Sequence, residues 1–297
     1  MKRNFPFKVQ TFPLFLLLIM IAAAFPAKPQ ALSEAAGDEA SDFFRTGIKF
    51  LKEGKTGAAV EQFSAAVKLK PDDAEAHNAL GTALFNLQRN GEAIDALREA
   101  VRLKPDYANA YYNLGNLFDR LGETAAAIEN LRQAIKFAPE YPAAYNLLGN
   151  VYLGANRFEE AITAFQQAIR LQPANARAFC QMGFAYNNLK RHTAALEAYR
   201  RALAVAPADM ETRNNYAVTL FYLKRFDEAK AEYGKLITAY PDYAAARFNL
   251  GVLHLAMKNK DGAFKELSAL KKLQPNLAEA LVNLIYAEKI VRVSAPK

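Results

Sequence analysis

Tryptophan is absent from this 297-residue sequence, cysteine occurs once and histidine three times. The single thiol, Cys180, allows no disulfide within the chain, so stability has to come from packing. The histidines stand far apart at 77, 192 and 254, and no HExxH spacing accompanies them, so no metal site or other cofactor site is expected. Glycine-rich phosphate loops and a nucleophile elbow are missing too. These absences remove the common motifs of nucleotide-binding, hydrolytic and zinc-dependent enzymes, and no catalytic residues are expected.

Long apolar runs are also scarce. The one that stands out is "LFLLLIMIAAAF", residues 14–25, behind the basic stretch "MKRNFPFK". A basic start and a short apolar core form the layout of a secretory signal, and twelve apolar residues fall short of the ~20 that span a bilayer. Residues 1–31 are therefore expected to act as a signal peptide that exports the chain to the periplasm or beyond. If uncleaved, residues 12–25 would be a membrane tether. Removing residues 1–31 takes four basic side chains and no acid, lowering the formal net charge from +8 to +4. Much of the basicity thus belongs to targeting, and no nucleic-acid partner is expected. What remains is uneven: residues 32–141 carry 13 basic and 17 acidic side chains, residues 142–297 carry 21 and 13.

What the sequence has in abundance is repetition. Prolines fall at 71, 105, 139, 173, 207, 241 and 275, a spacing of 34 residues each time. With each proline counted as position 32, the repeats run 40–73, 74–107, 108–141, 142–175, 176–209, 210–243 and 244–277. Position 8 reads Gly47, Gly81, Gly115, Gly149, Gly183, Ala217 and Gly251, and position 20 is alanine in all seven. Large residues occupy position 24: Phe63, Leu97, Leu131, Phe165, Tyr199, Tyr233 and Leu267. Small residues at fixed places let two helices approach closely while the large ones fill around them. Proline cannot continue a helix interior, and Asp73, Asp106, Asn175, Asp209, Asp242 and Asn276 behind the prolines are candidate N-caps.

This pattern resembles the tetratricopeptide repeat family, whose 34-residue unit is a helix-turn-helix hairpin. The resemblance implies an all-α, right-handed superhelix of seven hairpins. Residues 278–297, "AEALVNLIYAEKIV" and a short tail, read as a capping helix, and residues 32–39 as a linker. It also implies that first-helix positions 2, 5, 6, 9, 12 and 13 line a concave groove. Those places hold an unusual share of asparagine: Asn78, Asn86, Asn113, Asn116, Asn146 and Asn150, then Asn187, Asn188, Asn214, Asn215 and Asn249. Asparagine is a mediocre helix former, so its use there asks for a reason. An amide both donates and accepts, and can bond the backbone of an extended peptide whatever its side chains. Phe85, Tyr112, Phe184, Tyr222 and Phe248 on the same face would supply anchoring pockets.

The arrangement is similar in part to the asparagine-lined repeat region of O-GlcNAc transferases, although position 6 also holds Arg45, Ala79, Leu147 and Gln181. The Lys/Arg clamp by which chaperone-binding relatives grip a C-terminal carboxylate has no counterpart at position 5. The expectation is a non-enzymatic scaffold that binds an extended or helical segment of a protein or peptide partner in its concave groove. The alternative is an assembly component of a bacterial envelope complex, acting through its convex face or its ends, with the asparagines bonding only their own neighbours. Cys180, at position 5, is expected to be a small semi-buried residue.

Overall fold

The computed structural model describes residues 29–293, with side-chain environments over residues 38–287; the expected signal segment lies outside the described residues apart from its last three positions. Among the described residues there are fifteen α-helices and no strand. The chain divides into two compact units.

Residues to Leu103 form the first unit. It holds α1 (Pro29–Lys52), α2 (Thr56–Leu69), α3 (Ala74–Asn86) and α4 (Asn90–Leu103), each packed on the next. Helix α1 runs straight through residues 32–39, so the stretch read as a linker is helical. Its alanines, leucine and glutamates are good helix formers, which the shortness and polarity of the segment had concealed. The second unit, Lys104–Lys297, continues with α5 (Ala108–Arg120), α6 (Thr124–Phe137), α7 (Pro142–Gly154), α8 (Phe158–Leu171) and α9 (Ala176–Asn188). It is completed by α10 (His192–Val205), α11 (Met210–Tyr222), α12 (Phe226–Ala239), α13 (Ala244–Ala256), α14 (Lys260–Leu273) and α15 (Pro275–Val293).

Each hairpin is closed by the same contact. A methyl group added to Gly115 would lie 2.6 Å from Leu131 Cγ, and one on Gly149 2.5 Å from a Phe165 ring carbon. Position 8 is therefore glycine because position 24 of the partner helix sits against its Cα. All seven position-20 alanines are fully buried beside it. Each large side chain enclosed in this way contributes roughly 1.5–3 kcal/mol of transfer free energy. Two places depart from the rule. Gly251 meets Leu281 of α15 instead of Leu267, which ties the last helix onto the final hairpin. Ala217 carries the methyl its sisters lack, and α11 and α12 are the most loosely apposed of the seven hairpins.

Within every hairpin one residue turns into the left-handed region: Gly54, Gln88, Gly122, Asn156, Lys190, Lys224 and Lys258, 34 residues apart, with φ between 57° and 77°. The next amide reaches back to the carbonyl five residues earlier, as in Arg89 N to Leu84 O at 3.0 Å, which satisfies the helix end. At the other junction, Asp73, Asn175 and Asp209 cap the following helix with their side chains, as expected. Asp106 and Asp242 do not. The capping place is the second residue after proline, and tyrosine occupies it at 107 and 243. Asn276 lies inside α15, because Pro275 itself opens that helix.

Candidate functional site

In the second unit the first helices of successive hairpins, α5, α7, α9, α11 and α13, touch one another along a row. Their shared face is where the asparagines fall. Two cavities open on it. One, of about 290 Å³, lies on α7 and the neighbouring helices and is lined by Tyr112, Asn146, Leu147, Asn150, Arg177 and Gln181 among others. Tyr112 and Tyr141 pack at 5.1 Å between ring centroids at its edge. Burial, with Tyr112 adding to it, pushes the Tyr141 hydroxyl up to about 12.

The second cavity, of about 520 Å³, is bounded by α9, α10 and α11. Phe184 and Tyr222 line it and stay 45% and 56% exposed, although apolar rings of this size are normally covered. Asn187, Asn188, Asn215, Lys190, His192, Tyr199 and Val218 complete the lining. The imidazole of His192 stacks on Tyr222 at 4.9 Å, with the rings 15° from parallel. Neither cavity is lined by a carboxylate, and each has one permanent cation, Arg177 or Lys190.

Hydrogen bonds fix the polar groups here. Thr219 Oγ1 donates to the Asn215 carbonyl at 2.7 Å, so it accepts from the Asn187 amide nitrogen, also at 2.7 Å. The Asn187 oxygen therefore faces His192 Nδ1 at 3.0 Å, and that nitrogen carries the proton. In that tautomer the lone pair lies on Nε2. Asn188 Nδ2 donates to the Phe184 carbonyl at 2.9 Å and keeps its oxygen available.

Not every expected groove residue stands in the groove. Phe85 is buried within α3, and Asn214 is buried and accepts from Asn249 Nδ2 at 2.9 Å. Asn187 spends its amide on Thr219 of the next repeat. Asn187 stands at position 12 and turns toward the following hairpin, where Thr219 accepts from it. Asp119, in the same position, has its carboxyl pushed up by burial. Asn78, Tyr112, Asn113, Asn116, Asn146, Asn150, Asn215, Phe248 and Asn249 are half-buried, and Asn86 is exposed. Half of the sixteen expected residues line one of the two cavities: Tyr112, Asn146 and Asn150 the first, Phe184, Asn187, Asn188, Asn215 and Tyr222 the second.

Sequence reasoning missed the role of position 4. His77 bonds the Pro71 carbonyl at 2.9 Å, and Arg213 and Arg247 likewise reach the carbonyls of Pro207 and Pro241. Both arginines also pair with a position-23 acid on the second helix, Glu232 at 2.8 Å and Glu266 at 3.1 Å. The signal was present as an aromatic-to-arginine change at position 4 with glutamate at position 23 of the last two repeats. His254 is buried, and Cys180 is buried too, its thiol pushed up by desolvation against hydrogen bonds from Thr212 and Asn215. Among the described residues no cluster of His, Cys, Asp and Glu could hold a metal ion, and no helix is long and apolar enough to cross a membrane.

The comparisons agree on the repeat. The family described as Cilia and flagella-associated protein 70 C-terminal domain matches residues 29–247, and that described as Tetratricopeptide repeat matches 217–278. No curated protein matches the chain. Among solved structures, MamA is 28% identical over 57% of this chain and 92% of its own, with a TM-score of 0.53. YrrB, described as a TPR protein with an unusual peptide-binding site, is 26% identical over 62% of this chain and 96% of its own, at 0.55. The pilF product of Pseudomonas aeruginosa shares the fold at 22% identity, 74% and 97% coverage and a TM-score of 0.58.

Proposed function

The chain belongs to the tetratricopeptide repeat family, and from that premise we propose that it is a non-enzymatic scaffold holding an extended segment of a protein partner along the first helices of residues 104–297. One observation carries this reading. The two cavities on that row are lined by asparagine or glutamine amides beside aromatic rings, with a cation and no carboxylate in each. Amides can bond a peptide backbone in either sense, and rings anchor its apolar side chains. Lining charge of one sign favours a neutral or acidic segment. The peptide-binding site ascribed to YrrB supports the same class of ligand.

The proposal includes export, on the strength of the basic and apolar start of the chain; fractionation of cells carrying a C-terminally tagged chain tests it. For the binding site, photocrosslinking residues placed at Asn150 and, as a control on the exposed side of α8, at Gln166 should give different results in the native organism. A partner captured from Asn150 and not from Gln166 is expected. The double substitution Asn146→Ala with Asn150→Ala should then weaken binding of that partner about tenfold or more, as loss of two polar contacts implies, while leaving Tm within a degree or two. Capture from Gln166 alone would place the working surface on the second helices and overturn the reading.

A further inference from the structure

The hydroxyl of Tyr199 is the one buried side-chain polar atom among the described residues that closes no hydrogen bond. Its residue is fully buried, and it lies at the floor of the cavity between α9, α10 and α11. Asn187 places one amide hydrogen on Thr219 and its oxygen on His192, and its second N–H can only donate to the phenol oxygen, so the hydroxyl proton is left without an acceptor. Position 24 does not need that hydroxyl. Phe63 and Phe165 fill the same place against Gly47 and Gly149, as the Tyr199 ring does against Gly183. A buried donor without an acceptor is destabilising, so a phenylalanine would serve the core better.

Two further features belong to the lining of the same cavity. Nδ1 of His192 is held as a donor to Asn187, so in the neutral imidazole form Nε2 is the acceptor. The exposed rings of Phe184 and Tyr222 offer flat apolar surface, and Lys190 is the sole permanent charge in the lining. Beside the amides of Asn188 and Asn215, the cavity therefore offers a hydroxyl donor, an imidazole acceptor and aromatic walls. A phenol is complementary to that set: its oxygen accepts from one neighbour and its proton goes to another, while its ring needs apolar contact. At about 520 Å³ the space takes a large side chain together with part of the backbone that carries it.

We propose that this cavity is the recognition pocket for a tyrosine side chain of the bound segment. The ring packs on Phe184 and Tyr222, and the hydroxyl accepts from Tyr199 and donates to His192 Nε2. This assignment rests on the peptide-groove reading and gives it a sequence preference that backbone-binding amides cannot supply. Phenylalanine would leave both polar groups unmatched, and an alanine would lose the ring contact as well.

The test uses the whole chain and three acetylated, amidated pentapeptides, Ser-Gly-Tyr-Gly-Ser and its Phe and Ala counterparts. With only three histidines in the chain, the ring nitrogens of His192 can be followed by NMR during titration. The tyrosine peptide is expected to shift the His192 Nε2 resonance and to bind at least about fivefold more tightly than the phenylalanine peptide, a factor in keeping with one or two neutral hydrogen bonds. Tyr199→Phe should erase that preference while leaving Tm unchanged or raised, a combination that a purely structural tyrosine would not produce. Equal binding of the tyrosine and phenylalanine peptides, a preference that survives Tyr199→Phe, or no binding of any peptide in the millimolar range overturns the assignment. If a captured partner depends on Asn146 and Asn150 but not on Tyr199, the groove stands and the tyrosine pocket falls.

Discussion

Gly115 and Gly234 are both helical glycines, and what surrounds them gives substitution opposite signs. A methyl on Gly115 meets Leu131 at 2.6 Å, whereas one on Gly234 meets nothing within 4 Å. Gly115→Ala is expected to destabilise by about 1–3 kcal/mol through overpacking, and Gly234→Ala to stabilise by up to about 1 kcal/mol through helix propensity. Thermal or urea unfolding of the two variants checks both signs. The packing glycines were legible in the sequence because they recur every 34 residues; Gly234 does not recur, and nothing in the structure uses it. The arginine–glutamate pairs of the last two repeats were not legible, because their partners stand 19 residues apart on different helices and only the fold joins them. Glu266, about 4% exposed, owes its tolerance of burial to Arg247.

At the scale of the element, hairpins are interchangeable in sequence but not in closeness. Six have glycine at position 8; α11/α12 has Ala217 there, and Tyr233 lies opposite. Its amides should exchange hydrogen faster than those of α9/α10 or α13/α14, which mass-spectrometric hydrogen exchange would resolve; equal protection would mean that the alanine is fully accommodated. The helical alternation was readable from proline and alanine periodicity alone. Helix starts were less so, since "PDD" and "PDY" differ by one letter yet move the cap from a carboxylate to a tyrosine that cannot serve. Of the groove positions implied by the resemblance, half line the two cavities. Asn187 bonds Thr219 because the stacking of one hairpin on the next, not the helix itself, decides which way its side chain turns.

For the whole molecule, the division at Leu103 and Lys104 has a direct test. Repeat stacks gain stability from nearest neighbours, so residues 104–297 expressed alone should be helical and unfold cooperatively, as circular dichroism against temperature would report. A broad, non-cooperative loss of helix would mean that the first unit is needed to hold the second. Both cavities assigned to the partner belong to this second unit, which also carries the basic excess. Ala217 then matters in mechanical terms. Among the seven hairpins α11/α12 is the least closely apposed, and its first helix forms one wall of the Tyr199 cavity. A load that opened this hairpin would therefore deform the cavity directly, which a load on any hairpin outside its walls would not.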